Sequence, residues 1–207
     1  MNEETKVYLA LLHYPMRNKR GDIIATSVTN LDIHDISRVA RTYGIKGFFI
    51  IHPIPEQQEL IRKIMGYWQE GYGGTYNPDR KHALDIVHLA TDLEDMKEQI
   101  YEQERTESCL VATDASLYPH TVGYEVIKQR IRQGGQAIVL LFGTGWGMPA
   151  DLVRACDYIL PPLAWQSDYN HLSVRSAVAI TVDRLLGENW YRSEEHTSEL
   201  QSHELIS

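Results

Sequence analysis

Three glycines within five residues mark the part of this sequence best suited to hold a ligand. Gly143, Gly145 and Gly147 directly follow an apolar run over residues 137–142. Such a run is typical of a buried parallel strand. Glycines after a strand let backbone N–H groups approach a ligand, because no Cβ stands in the way. The pattern allows two interpretations, a plain turn and a ligand-binding loop.

Two well-known glycine-rich loops can be weighed against this turn. A dinucleotide-binding loop normally opens a fold and has a ribose-binding acid about 20 residues further on, whereas this turn lies well into the chain. A P-loop is excluded, since no Gly-Lys-Ser/Thr follows. A nicotinamide-dependent oxidoreductase therefore stays open only as an alternative that the ribose acid does not support.

A second segment follows the turn closely. Residues 157–160 form a short strand pattern that Pro161 and Pro162 break, and a polar loop over residues 166–171 leads into a helical pattern over residues 172–186. The turn and this segment together form a strand, a glycine-rich loop, a strand, a proline break and a long helix.

These two segments resemble motifs of the SPOUT RNA methyltransferases, the trefoil-knot enzymes. The second motif of that family is a strand followed by FGxExxG, and residues 141–147 read LFGTGWG. The third motif is I-P, a loop and S-L-N-V-S-x-A, which residues 159–161 (ILP) and 171–177 (HLSVRSA) resemble. Gly145 stands where many members carry Glu, and His171 and Ser173 replace Ser and Asn.

The resemblance implies that S-adenosylmethionine (SAM) binds in a bent form between these loops. Backbone groups suit the polar edge of adenine, and apolar side chains suit its face. Asp114 ends a predicted strand over residues 108–113, at the place where open α/β sheets bind ligands. The cofactor-binding candidates are Asp114, Leu141, Phe142, Gly143, Thr144, Gly145, Gly147, Ile159, Leu160, Pro161, Leu163, His171, Leu172 and Ser173.

The first motif of the family, N-x-G-N-x-x-R, leads into a helix and then a strand that ends in Pro. Residues 31–43 predict that helix and residues 46–51 the strand. Asp35 matches the second Asn and Arg38 the Arg. The resemblance makes Arg38 and Asp35 the candidate catalytic residues, reaching across a homodimer interface. His34 and His171 could shuttle protons near neutral pH, although a lone histidine is more often structural.

Candidates for RNA binding lie near the first predicted strand, residues 6–13. The basic loop over residues 16–21 could contact phosphates or be a solvated turn, and the candidates are Arg17, Asn18, Lys19, Arg20 and the nearby Asn30. A glycine- and tyrosine-rich segment over residues 70–78, with Trp68 before it, could stack on bases. Its alternative is a flexible connection anchored by aromatic rings.

Strand and helix patterns alternate along the chain, which predicts an α/β fold with a mostly parallel sheet and helices on both faces. Further helices are predicted over residues 54–68 and 122–132, and residues 79–105 predict two helices broken near residues 91–92. Residues 1–191 are expected to form a single domain. A C-terminal trefoil knot is implied by the resemblance alone.

Composition limits the possible functions. The net charge of −8 argues against a broad basic surface for nucleic acid. No run approaches the ~20 apolar residues of a membrane span, and the polar, acidic N-terminus is unlike a signal peptide. Cys109 and Cys156 suggest buried thiols in a reducing cytosol, with no metal site, so we expect a cytoplasmic protein.

The last sixteen residues read as foreign to the domain. Residues 192–207, RSEEHTSELQSHELIS, resemble the in-frame translation of a sequencing-adapter oligonucleotide. We therefore expect a non-native tail and a native C-terminus that is missing after about Tyr191.

The sequence thus predicts a SAM-dependent RNA methyltransferase that acts on tRNA or rRNA. It is most similar to a small bacterial branch related to the tRNA guanine-N1 methyltransferases, over roughly residues 5–191. The acidic charge and the missing motif Glu favour one alternative, a knotted module that binds SAM or RNA without turnover. The pattern does not specify the RNA, the nucleotide or the modified atom.

Overall fold

The computed structural model describes residues 6–164, 166–167 and 169–187 of the chain. Strands and helices alternate along nearly all of it. In chain order these elements are β1 (Val7–Leu12), β2 (Met16–Arg17), β3 (Ile23–Ile24), α1 (Asn30–Thr42), β4 (Gly47–Ile51), α2 (Pro55–Gln69), α3 (Tyr72–Tyr76), α4 (Pro78–Leu84), β5 (Val87–Ala90), α5 (Leu93–Glu104), β6 (Ser108–Ala112), α6 (Tyr124–Gln133), β7 (Ala137–Gly143), α7 (Ala150–Arg154), β8 (Tyr158–Ile159) and α8 (Val174–Leu186).

Six strands form one sheet in the order β5-β4-β1-β7-β6-β8, and all of its pairings are parallel. The strands β2 and β3 form a separate antiparallel hairpin. Alternate residues of β1 point to opposite faces: Leu9 and Leu11 join a core with α1, α2, α4, α6 and α8, whereas Tyr8 and Leu12 join one with α5 and α7. The predicted α/β fold with helices on both faces is confirmed.

Most predicted elements lie within a residue or two of the observed ones, but β5 corrects the prediction. Residues 79–105 were expected to hold only helices, yet Val87–Ala90 pair in parallel with β4. Four residues between charged helices carry too short an apolar signal to reveal a strand. The short helix α3 likewise replaces a predicted loop. The trefoil knot stays a prediction.

The parallel order decides where a ligand can bind. The chain leaves β1, β6, β7 and β8 at the same edge of the sheet, because their carboxyl ends all point one way. Within the described ranges, no helix combines the length and apolar character needed to cross a membrane. The predicted non-native tail, residues 192–207, and the proposed chain end near Tyr191 lie outside the described residues.

Candidate functional site

The glycine-rich turn after β7 is held in a fixed shape by the strands beside it. Gly145 and Gly147 have φ angles of 59° and 88°, in the left-handed region that favours glycine. The Gly147 amide donates to the carbonyl of Thr144 at 3.0 Å. The Thr144 hydroxyl donates to the carbonyl of Leu12, at the end of β1, at 3.0 Å. The turn is therefore anchored to the strand next to β7.

The β2–β3 hairpin packs directly on this turn. The amide of Arg17 donates to the carbonyl of Gly147 at 2.9 Å, and the amide of Trp146 donates to the carbonyl of Arg17 at 3.2 Å. The hydroxyls of Thr26 and Thr144 lie 2.5 Å apart. The basic loop predicted from the sequence is thus part of an ordered hairpin. Both Arg17 in β2 and Thr26 just after β3 form hydrogen bonds with the glycine-rich turn.

A cavity of about 960 Å³ opens between the hairpin, the turn and the start of α8. It lies beyond the carboxyl ends of the parallel strands, where ligands of open α/β sheets bind. Most of the cofactor-binding candidates line it: Asp114, Phe142, Gly143, Thr144, Gly145, Gly147, Pro161, Leu163, His171, Leu172 and Ser173. The other three, Leu141, Ile159 and Leu160, lie buried beneath the wall and do not line it.

The segment before α8 completes the wall opposite the hairpin. Ser173 caps α8, accepting a hydrogen bond from the amide of Ser176 at 3.3 Å. Asn170 donates to the carbonyl of Ala115 at 3.0 Å, which ties this segment to the loop after β6. The ring of His171 lies 6.3 Å from that of Trp146 in the glycine-rich turn. The second and third motifs therefore face each other across the cavity.

Two charged side chains flank the turn from inside the cavity. A Cβ placed on Gly147 would lie 3.3 Å from Oδ2 of Asp114 and 3.5 Å from Nη2 of Arg17. The other carboxylate oxygen of Asp114 accepts from the amide of Ser116 at 2.7 Å. Nε of Arg17 is buried and has no hydrogen-bond partner among the described residues. A buried donor without an acceptor is costly, so the cavity suits a ligand that carries one.

Among the remaining RNA-binding candidates, Asn18 and Lys19 also line the cavity, whereas Arg20 and Asn30 do not. Lys19 holds its ammonium 6.0 Å from the ring centre of Trp146. Arg20 and Asn30 are exposed. The predicted set is therefore split between the cavity wall and the outer surface.

The candidate catalytic residues lie on the outer face of α1. Arg38 and Asp35 are exposed, and neither lines the cavity of its own chain. Asp35 accepts from Nη1 of Arg175 at 3.4 Å, and Nε of the same arginine lies 3.5 Å from Asp32. Because Asp32 does line the cavity, Arg175 connects the wall to Asp35.

Sequence reasoning had not assigned Asp32 and Arg175 to the site. Asp32 lies in the first turn of α1, where its amide donates to the hydroxyl of the capping residue Thr29 at 3.2 Å. Its carboxylate also accepts from that hydroxyl at 2.5 Å. The sequence offers only a weak signal for this ion pair, which is an acidic residue in the first turn of α1 and an arginine in the first turn of α8.

Buried histidines support the floor of the site. The rings of His13 and His52 stack 5.6 Å apart, and Nδ1 of His13 lies 3.0 Å from the Thr26 hydroxyl. Burial, and next the charge of His52, lower the pKa of His13 to about 4. Burial also lowers the pKa of His52. Both rings are therefore neutral near pH 7. Both contact Thr26, whose hydroxyl forms a hydrogen bond with that of Thr144.

The proton-shuttle candidates are in different surroundings. His34 lies outside the cavity wall, with its ring 5.1 Å from that of Trp68. Burial, and next the charge of Arg80, lower its pKa. His171 is the one of the two that lines the cavity.

Comparison with known proteins identifies the family. Residues 6–187 match a family model described as SAM-dependent RNA methyltransferase. An uncharacterised protein of Aquifex aeolicus is 43% identical over 183 residues, which are 88% of this chain and 89% of that protein. A tRNA (guanine-N(1)-)-methyltransferase of Oleidesulfovibrio alaskensis is 40% identical over 182 residues, covering 88% of this chain. This match spans only 42% of the length of that enzyme.

Solved structures share the fold at low sequence identity. A TrmH/SpoU tRNA-modifying enzyme of A. aeolicus superposes with a TM-score of 0.54 at 11% identity, covering 98% of this chain and 88% of that one. At that identity the likeness concerns the fold alone, and it agrees with the SPOUT-like sheet predicted from the sequence.

Proposed function

This chain belongs to the family of SAM-dependent RNA methyltransferases, and we propose that it transfers a methyl group from SAM, bound in the cavity, to a nucleotide of tRNA or rRNA. One observation carries the proposal. The glycine-rich turn and the segment before α8, which resemble the family's second and third motifs, line the same cavity beyond the ends of the strands.

The cavity wall fits SAM in size and in chemistry. Its volume of about 960 Å³ is at the upper end of the range for small-molecule sites, which leaves space for an acceptor nucleotide. Leu163 and Leu172 offer apolar surface to adenine, and the backbone of the turn offers polar groups to its edge. The carboxylate of Asp114 suits the hydroxyl or ammonium groups of the cofactor. The guanidinium of Arg17, which lines the cavity, suits an RNA phosphate.

The residues need to position the reactants rather than form covalent bonds with them. When bound, SAM supplies an activated methyl group on its sulfonium, so the chain needs no nucleophile of its own. The fixed turn orients the cofactor, and the apolar wall keeps water away from it. Positioning of this kind can contribute on the order of 7–11 kcal/mol to lowering a barrier.

Arg38 and Asp35 are proposed to act in the cavity of a partner subunit. Both lie on the exposed face of α1, so they need a homodimer to reach a bound nucleotide. The ion pair of Asp35 with Arg175, at 3.4 Å, ties this face to the first turn of α8. The same pairing supports a proposal that α1 and α8 together form the dimer interface.

The relatives support our choice of RNA, and the cysteines support our choice of compartment. We favour tRNA because the O. alaskensis relative is named a tRNA methyltransferase. The modified nucleotide is left open, since this chain spans less than half of that enzyme. Cys109 and Cys156 are free thiols, and burial raises the pKa of each to about 11. Such thiols fit a reducing cytoplasm.

A tritiated-methyl assay tests this proposal. Purified protein is incubated with labelled SAM and, in separate reactions, with unmodified tRNA and rRNA, and SAM binding is measured in parallel by calorimetry. We expect label to enter tRNA and to scale with enzyme concentration. If SAM binds but no RNA is labelled, the chain is a non-catalytic binding module and the proposal is wrong.

A further inference from the structure

A cluster of exposed aromatic rings lies on the outer surface of α2 and α3, beside the start of α4 and away from the cavity wall. We call it the aromatic platform, and it consists of Tyr67, Trp68, Tyr72, Tyr76 and Arg80. Tyr72 and Tyr76 are 72% and 78% exposed, and Tyr67 is 51% exposed. Exposing three large rings side by side is unusual for a surface that serves only solubility.

The platform is built by close packing of α3 onto α2. A Cβ on Gly73 would lie 2.6 Å from Cε1 of Tyr67 and 2.8 Å from Cε3 of Trp68. Only glycine allows that approach. Tyr72 and Tyr76, four residues apart on α3, share a face. A five-residue helix with two glycines has little stability alone, so its packing against α2 is what holds the tyrosine pair in place.

The geometry of the tyrosine pair suits a nucleobase. Their ring centres are 6.3 Å apart and their planes 26° from parallel. Two highly exposed and nearly parallel rings offer flat apolar surface on which an unpaired base can stack.

The base of the platform carries a positive charge and packs against α1. The guanidinium of Arg80 lies 4.7 Å from the ring centre of Trp68, and the Trp68 ring makes a T-shaped contact with that of His34 in α1. His34 and the cavity-lining Asp32 both belong to α1. Because residues two apart on a helix do not share a face, α1 lies between the platform and the cavity.

We propose that the aromatic platform docks unpaired nucleotides of the RNA substrate, and this rests on the proposed function. Sequence-tolerant stacking on aromatic rings is a common way to hold single-stranded nucleic acid. The acidic Glu70 and Asp79 offset the charges of Arg80 and Lys81. Stacking rather than phosphate neutralisation thus supplies the affinity, and its dependence on salt is shallow.

The test replaces Tyr72 and Tyr76 together, first with Ala and then with Phe. Tyr101 on α5 is the matched control, since it is a 47% exposed tyrosine outside the platform. Binding of a short fluorescein-labelled oligouridine and of an RNA duplex is measured by anisotropy. We expect the double Ala variant to bind oligouridine about tenfold more weakly or worse. The double Phe variant and Tyr101→Ala should stay within about twofold, and duplex binding should change little.

Several outcomes would overturn the inference. The double Ala variant could bind oligouridine as tightly as wild type, or lose duplex binding equally. A halved mass in light scattering would assign the surface to a second copy of the chain. SAM calorimetry on the same variants separates the two proposals. Tyrosine-dependent oligouridine binding without SAM binding would contradict the proposed cofactor site and leave the platform in place.

Discussion

Replacing Gly145 with valine would test whether the glycine-rich turn has to keep its present shape to bind SAM. Gly145 has a φ of 59°, which costs an L-residue roughly 1–2 kcal/mol. A Cβ there would also lie 3.2 Å from Cγ2 of Thr26 and 3.3 Å from the carbonyl oxygen of Arg17. Pushing into that packed contact adds about 1–3 kcal/mol, so the free energy of unfolding should fall by about 2–5 kcal/mol.

Gly44→Val is the matched control for this variant. Gly44 has a similar φ of 67°, and nothing lies within 4 Å of its Cβ position. It follows the C-terminal end of α1, whereas the cavity adjoins the N-terminal end of that helix. Gly44→Val should therefore lose only the backbone cost, about 1–2 kcal/mol, and should bind SAM like wild type.

Calorimetric titration with SAM and urea unfolding measure both quantities on each variant. Gly145→Val should bind SAM at least tenfold more weakly, about 1.4 kcal/mol, because moving the turn off Arg17 and Thr26 displaces the backbone that faces the cavity. If Gly145→Val is destabilised as expected but binds SAM like wild type, the glycine-rich turn is only a turn and the cofactor site lies elsewhere.

Three further predictions concern catalysis, assembly and pH. Arg38→Ala should keep SAM affinity within about twofold, while single-turnover methylation falls about a hundredfold. The control variant Arg132→Ala, at another exposed arginine, should change neither quantity. Normal turnover by Arg38→Ala would contradict a catalytic role for Arg38. Light scattering should report about twice the 23.8 kDa chain mass, and a monomer would exclude action across subunits. Burial lowers the pKa of His13 from 6.5 to about 4, so the unfolded chain takes up a proton at this residue before the folded chain does as the pH falls. The contribution of neutral His13 to the free energy of unfolding is therefore present above pH 6.5, and about 2 kcal/mol of it should be lost between pH 7 and pH 5. The pKa values of His52, His34 and His88 are also lowered, so these residues should add to the loss. Urea unfolding at both pH values checks this, and equal stability would contradict it.

The parts of the fold that could be predicted are those with a local signal. Apolar runs such as Ala137–Gly143 are long enough to reveal a strand, and the glycines and prolines beside them mark its end. Val87–Ala90 gave no such signal, because its burial depends on pairing with β4, more than thirty residues earlier. A strand could therefore be predicted where its own residues carry the apolar pattern. It could not be predicted where the strand depends on pairing with a distant segment.

The candidate site follows the same rule. The turn and the segment before α8 were predictable as parts of one cavity wall, because motif spacing and the rule for parallel sheets both act locally. The ion pairs of Arg175 with Asp32 and Asp35 were not, since they join residues about 140 positions apart in the chain. Only the packing of α1 against α8 brings those groups together.

Hydrogen exchange with and without SAM tests most directly whether the cavity at the strand ends is the cofactor site. SAM should slow exchange of backbone amides over residues 142–147 and in the segment over residues 170–174, while peptides from α5 on the second face of the sheet stay unchanged. Saturating SAM, verified by calorimetry, that leaves residues 142–147 exchanging at the same rate would contradict the account.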